Sequence, residues 1–582
     1  MSSTAKKLMS ASGAGAGEVL NVEDVFSTYL YEGNGSTQTI TNGIDLSGEG
    51  GLTWIKNRDA TDSHILTDTA RGVTKVLKSN IPVVAETTDA DTVTAFSSTG
   101  FSLGDDVKVN TNNESYCSWT FRKAPKFFDI VTYTGNGTAG RTVSHNLGSV
   151  PGFMILKRVD EGSSWVLYHR GLNGGSSPED FGLVFDTDAQ FNYDAAFNDT
   201  APTATEFTVG NWANVNNSGS PFIAYLFAHN NGDGEFGPDS DQDIIKCGYY
   251  TGNGSTGQDI NLGFEPQWLM VKGLDRACDW VIIDSMRGVP YGGTTQFLRA
   301  NSTAAEETAY WVDMVNFTST GWKIPSGGPG SNVNENNEDY IYIAIRRGTK
   351  VPESGTEVFA IDEGDGVGAV SAYTSGFPVD FAITRTAGST SPNYVATRLL
   401  QGKRLQTDGT NAEASESANY FYYMEGWRRF ARAAGNYSWM WKRAPKYFDV
   451  VAYTGIGGNR TLSHNLDAAP EMMWVKSRGN SEDWYVYHKD LGNGSILILN
   501  STSSVYNGMS NVWNNTSPTS SVFTVGPNGK VNLSGDTYIA YLFASLAGIS
   551  KVGSYTGNGT STGDSQNIDC GFTNGARFIL VK

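Results

Sequence analysis

The sequence predicts an all-β protein, a tandem array of antiparallel β-sandwich modules of about 100 residues, jelly-roll or concanavalin-like. Three recurring motifs carry that prediction. A turn motif, Tyr-Thr-Gly-Asn-Gly or a variant, opens at Tyr31, Tyr133, Tyr250, Tyr373, Tyr453 and Tyr555. An apolar run ending in lysine follows most openings and stops at Lys56, Lys157, Lys272, Lys476 and Lys582; the fourth unit has no clear copy. A run with alternating aromatics closes each unit, at residues 116–121, 222–227, 340–345, 437–441 and 538–543. Such short runs, rich in Val, Ile, Trp, Tyr and Phe and bounded by Gly, Asn, Ser and Asp, are strands. The Asn-Gly pairs suit turns that need positive φ.

Taken in order, residues 1–27 form an N-terminal segment with Lys6 and Lys7 before a Ser/Ala/Gly stretch, lacking the apolar core of a secretory signal. Modules follow at 28–129, 130–243, 244–350, 351–449 and 450–547, and residues 548–582 begin a sixth. A longer period overlies the short one. Trp119, Pro125 and Tyr133 match Trp439, Pro445 and Tyr453 at one offset; His145 and His169 match His464 and His488 one residue shorter. Duplication of a three-module block accounts for both. A module cut after its lysine run cannot close its sheet, so the natural chain is expected to continue past Lys582. Asn230 to Asp243 and Glu353 to Asp365 are acidic and Gly-rich, and read as linkers too polar to pack. The stretch 411–434 is the best helical candidate, yet Gly426-Trp427 aligns with Gly100-Phe101 and Gly321-Trp322, which favours strand.

Composition excludes several function classes. With 42 basic and 60 acidic residues the net charge is −18, the wrong sign for broad nucleic-acid binding. No apolar run approaches the roughly 20 residues that span a bilayer. The four cysteines (Cys117, Cys247, Cys278, Cys570) form no C-x-x-C pair, which argues against a disulfide framework or thiolate zinc site.

Among candidate chemical groups, four of the six histidines form two repeat-equivalent pairs. A catalytic group is needed once, whereas a fold-supporting one recurs, so these read as structural. No nucleophile elbow, His-Glu-x-x-His or Walker loop is present, and no pair among the carboxylates is singled out for glycoside hydrolysis. The chain is therefore read as non-enzymatic and without a required cofactor. Asp239, Asp241 and Asp243 alternate as calcium-loop ligands do, with Ile244 where an EF-hand needs glycine; a calcium site and a solvated acidic linker are the two readings. The cluster Tyr420, Tyr422, Trp427, Arg428 and Arg429 has the composition of a binding hot spot, with core packing as the alternative.

The joined motif Trp119-Thr-Phe-Arg-Lys-Ala-Pro-Lys-Phe-Phe-Asp-Ile-Val-Thr-Tyr-Thr-Gly-Asn-Gly137, with Gly263-Phe-Glu-Pro-Gln-Trp-Leu-Met-Val-Lys272, Asp284-Ser-Met-Arg-Gly288 and Tyr342-Ile-Ala-Ile-Arg-Arg347, resembles the large repeat-containing virion proteins of tailed marine bacteriophages, notably those infecting cyanobacteria. The N-terminal Ala5-Lys-Lys-Leu-Met9 before a Gly/Ala stretch carries the same likeness. The resemblance implies a virion structural protein made in the host bacterial cytoplasm. Its N-terminus would dock on other phage proteins and its modules would project as a tail fibre or tail appendage. The expected partners are sister copies in a homo-oligomer, a trimer favoured, and a host-surface glycan or protein; nucleic acid and membrane insertion are not expected. A capsid decoration or head fibre and a virion-borne glycan-degrading enzyme are the alternatives.

Overall fold

The computed structural model describes residues 19–81, 84–185, 189–255, 257–308, 314–325, 332–364, 370–416, 419–430, 435–559 and 566–582. The chain is all-β, built from repeated antiparallel sheets. It divides into two compact units, Met1–Phe317 with Gly321–Lys350, and Thr318–Thr320 with Val351–Lys582. The first carries modules 1 to 3 and the second modules 4 and 5.

Each module repeats one plan. Its opening strand (Phe26–Glu32, Phe128–Thr134, Ile245–Thr251, Phe359–Glu363, Phe448–Thr454) pairs with its closing strand (Ser115–Arg122, Pro221–Ala228, Asp339–Arg346, Asn436–Trp441, Thr537–Phe543). The closing strand also pairs with the lysine strand (Gly51–Asn57, Pro151–Arg158, Pro266–Gly273, Met472–Ser477), whose place in module 4 is taken by Phe381–Thr386. A fourth strand (Ile65–Asp68, Val166–His169, Val281–Asp284, Tyr394–Thr397, Tyr485–His488) extends the sheet. A small two- or three-stranded sheet, such as Arg460–Ser463 with Val522–Val525, closes each sandwich.

The main sheet is buried on both faces, which is why its strands read as near-continuous apolar runs. In module 5, Tyr538, Ala540 and Leu542 belong to the module's own core with Phe523 and Val525 of the small sheet. The intervening Ile539 and Tyr541 belong to a second core shared with Phe381 and Trp441 of module 4. Period-two alternation therefore assigns one face to the module and the other to its neighbour.

The opening motif is a lock between strand and turn. The hydroxyls of Tyr31, Tyr133, Tyr250 and Tyr453 donate to the carbonyls of Val109, Val215, Val333 and Val531 at 2.6–2.8 Å. A Cβ on Gly33 would run into the Thr111 carbonyl, and Gly35 has φ +65°, so neither tolerates a side chain.

Module 4 departs from the sequence reading. Tyr373 lies in Val370–Thr374, paired with Gly426–Phe430 in the small sheet, not in the opening strand. By register the opening position belongs to Gly364, and a Cβ there would meet the Tyr373 ring. Tyr373 thus fills from the next strand the space that an opening-strand tyrosine fills elsewhere, which is why the interval after it looks short. The pairing of Gly426–Phe430 bears out strand over helix there; residues 431–434 lie outside the described residues.

The two acidic stretches are packed rather than solvated spacers. Phe236 is buried against Phe127, with ring centroids 6.4 Å apart. The Asp243 carboxylate accepts the N–H groups of Gly232 and Gly234 at 2.8 and 3.0 Å. Residues 355–357 form a 3₁₀ turn, and Phe359–Glu363 is the opening strand of module 4, with Phe359 and Ala360 buried. Acidic side chains in both serve local backbone donors, a use that composition does not reveal. Of the N-terminal segment, residues 1–18 lie outside the described residues. Val22–Val25 is one helical turn, and Glu23 accepts the N–H groups of Thr349 and Lys350, both at 3.1 Å. Residues 548–559 and 566–582 carry no strand.

Candidate functional site

The ionisable groups of unit 1 converge where modules meet. At the end of the fourth strand the register brings Asp68, His169 and Asp284 to one equivalent position, opposite Leu52, Phe153 and Trp268. Each reaches a closing strand in another module. Tyr225 of module 2 donates its hydroxyl to Asp68 of module 1 at 2.7 Å. Trp119 of module 1 donates its indole N–H to Asp284 of module 3 at 3.2 Å. His169 of module 2 donates Nε2–H to the Tyr342 carbonyl of module 3 at 3.1 Å. The sequence explains the switch: closing strands 1 and 2 offer Trp119 and Tyr225 as donors to carboxylates, whereas closing strand 3 has Ile343 there and presents a backbone acceptor to a histidine. The three contacts close a ring of three modules.

Each carboxylate also holds an arginine three residues on. Asp68 and Arg71, and Asp284 and Arg287, each meet at 2.6 Å, and the second pair is fully buried. Burial alone would lower the Arg287 pKa, but Asp284 and Glu306 raise it. A backbone rung repeats beside them: Glu86, Gln190 and Glu306 donate their N–H groups to the carbonyls of Val159, Leu274 and Arg58 at 2.7–3.0 Å. Glu413 does the same to Arg478 at 2.8 Å between modules 4 and 5. Inside the ring lie aromatic contacts between modules, among them Phe121 with Phe227, Phe26 with Trp268 and Phe185 with Trp280.

The motif lysines are internal struts. Lys56, Lys157, Lys272 and Lys476 are fully buried. Their ammonium groups donate to the carbonyls of Asn57, Ser163, Cys278 and Ser477 at 2.6–2.7 Å, holding the turn after the strand. Burial pushes Lys56, Lys157 and Lys476 down to about 8.

The histidines occupy similar roles. His64 accepts the Trp54 indole N–H through Nδ1 at 2.8 Å and donates from Nε2 to the Arg299 carbonyl at 3.0 Å. Burial, aided by the Lys56 charge, pushes it down to about 3. His169 is held down to about 3 by burial. His145 and His464 make matching bonds from Nε2 to the carbonyls of Thr203 and Thr519, both at 3.2 Å.

The module 4 cluster splits by face. Trp427 is buried at the position of Phe101 and Trp322, stacked on Phe421 and Tyr373 at 5.2 and 5.4 Å. Arg429 is buried, bonded to the Thr384 hydroxyl, with its guanidinium 4.6 Å from the Tyr394 ring centre. Tyr420, Tyr422 and Arg428 are half-exposed. The two tyrosine rings stack at 5.9 Å, and Arg428 lies 4.2 Å over Tyr423, a residue sequence reasoning had not singled out. The surface half is an aromatic and arginine patch of the kind that contacts planar or sugar-ring ligands.

Of the calcium candidates, Asp241 is exposed, Asp239 half-buried, and Asp243 is engaged with Gly232, Gly234 and Lys246. Among the described residues no three His, Cys, Asp or Glu side chains converge as a metal site. An open cleft of about 690 Å³ on module 2 is lined by Lys126, Arg170, His229 and Asp233. Lys126 donates to the Asp233 carbonyl at 2.8 Å, and His229 accepts the Cys247 N–H at 3.1 Å with its pKa pushed down to about 4 by burial.

A family model, described as a domain of unknown function (DUF7483), matches residues 21–347 and 443–582. The chain belongs to that family. Between the matched spans lie residues 348–442, which hold most of module 4 and its arginine and tyrosine cluster. No curated protein matches the chain.

Proposed function

We propose that this DUF7483 protein is a structural component of a bacteriophage particle, a tail fibre or tail-associated appendage that contacts the host surface through its β modules. The observation that carries the reading is the use of charged and titratable groups in unit 1. Asp68 and Arg71 with Tyr225, Asp284 and Arg287 with Trp119, His64 with the Arg299 carbonyl and His169 with the Tyr342 carbonyl make contacts that bind one module to another. Groups spent in that way serve mechanical cohesion, and the resemblance to marine-phage virion proteins supplies the setting.

Module 4 supplies the contact surface in this reading. Tyr420, Tyr422, Tyr423 and Arg428 form its half-exposed patch, in the segment that lies between the two spans the family model matches. Weak contacts of this size count when many copies engage one surface.

The test is gold-labelled antibody against residues 133–227, imaged on purified particles. Label on tail appendages, with adsorption blocked by the same antibody, is the expected result. Label spread over the capsid makes the protein a head decoration, and particles without label remove it from the virion.

A further inference from the structure

In unit 1 each module meets two others, and the ring closes. In unit 2, modules 4 and 5 meet across one interface of the same type, with the Glu413 to Arg478 backbone rung and a salt bridge of 2.7 Å between those side chains. Among the described residues no folded module fills the third place of that ring, and its inner corner is occupied by a ring from the C-terminal run. In unit 1 that corner holds Trp268 of module 3, against Phe26 and Phe121 of module 1 at 6.1 and 5.9 Å. By register the equivalents of Phe26 and Phe121 in module 4 are Phe359 and Trp441. The ring lying on them, at 5.9 and 5.3 Å, is Phe578. In the run Arg577-Phe-Ile-Leu-Val-Lys582, Phe578 stands where Trp268 stands in Gln267-Trp-Leu-Met-Val-Lys272.

Among the described residues the rest of the place is only partly covered, by the Phe578 ring 6.5 Å from Trp439. Trp439 is half-buried, whereas Trp119 and Tyr225 at the same register are fully buried. His488 is half-buried where His169 is 1% exposed and bonded to the next module. Ile579, Leu580 and Val581 are 50–71% exposed, although their equivalents Leu269, Met270 and Val271 are buried. A cluster of exposed aliphatics beside an uncovered sheet face marks an interaction site.

We propose that this open place is the docking site for a third β module of the same repeat. Residues 577–582 enter it as the lysine strand, a carboxylate at the end of the occupant's fourth strand meets Trp439, and its closing strand covers His488. The walls select that occupant by chemistry. Trp439 stands where Trp119 donates to a carboxylate of the third module, and His488 stands where His169 donates to a closing-strand carbonyl. An occupant of this repeat presents both acceptors at the right spacing, and its closing strand provides the edge that 577–582 pairs with.

The test extends the full chain after Lys582 with residues 273–350 of module 3, which follow the lysine strand there and carry Asp284 and the Tyr342 carbonyl, and reads amide hydrogen exchange. A second extension built from residues 57–129 of module 1, with Asp68 at the same position, guards against a graft that does not fold. Exchange at 577–582 and at the strands carrying Trp439 and His488 is expected to slow at least tenfold in one or both extended chains. Phe578→Asp in the extended chain is expected to cancel the slowing. An appended segment that becomes protected by itself, with those strands unchanged, overturns the proposal, as does the failure of both grafts to slow exchange there.

Discussion

Tyr225 of module 2 donates its hydroxyl to the Asp68 carboxylate of module 1 across 2.7 Å, and Arg71 donates to the same hydroxyl at 3.3 Å. A buried carboxylate, a guanidinium and a phenol from two modules therefore satisfy one another. Tyr225→Phe removes the hydroxyl's bonds to both Asp68 and Arg71 while keeping the ring, so unit 1 is expected to lose about 1.5–3 kcal/mol of stability in chemical denaturation. Asp68→Ala takes the acceptor from the Tyr225 hydroxyl and from the Ala70 and Arg71 N–H groups and leaves Arg71 paired with Glu86 instead, and is expected to cost more, about 3–5 kcal/mol.

Lys56→Met keeps the apolar stem but leaves the carbonyls of Asn57 and Ala60 without their donor. A loss of about 1–3 kcal/mol is expected, measured by urea unfolding, even though the substitution replaces a charge with an apolar group in a buried site. A gain in stability would show that burying the ammonium costs more than its two bonds return.

The depressed histidines set the pH response. His64 and His169 sit at about 3 in the fold, and free histidine titrates near 6.5. Between those values the unfolded chain binds protons that the folded chain refuses, so acid favours unfolding. Unit 1 is expected to be fully stable above about pH 6.5 and to weaken on acidification, each histidine contributing a slope of about 1.4 kcal/mol per pH unit. His169→Gln should lower the slope between pH 6 and 5, where carboxylates titrate little.

Arg428→Ala and Tyr422→Ala remove half-exposed groups that the module core does not use. Unfolding midpoints are expected to change by less than about 0.5 kcal/mol equivalent, while adsorption of particles carrying the variants falls. Unchanged adsorption would move the contact surface away from module 4.

Much of the fold was legible in the sequence because the module is anchored by residues that recur in kind: the tyrosine that bonds a valine carbonyl, the glycine pressed on a backbone oxygen, the lysine that holds a turn. The ring of modules was not legible. Its equivalent positions carry Asp68, His169 and Asp284, and their partners are Trp119, Tyr225 and the Tyr342 carbonyl, so identity between repeats is lost where function of the position is kept. Tyr373 misled for the converse reason: the ring is retained in space but supplied by a different strand. At the candidate patch, sequence showed the residues but not the alternation that turns Trp427 and Arg429 inward and leaves Tyr420, Tyr422 and Arg428 outside.

The central claim is that modules 1 to 3 act as one interlocked body, and native-state hydrogen exchange across residues 19–350 tests it most directly. The slowest amides of the closing strands Ser115–Arg122, Pro221–Ala228 and Asp339–Arg346 are predicted to open with one common free energy, lowered in all three by Asp284→Ala. Three separate opening free energies, with the substitution felt only in module 3, would contradict the ring.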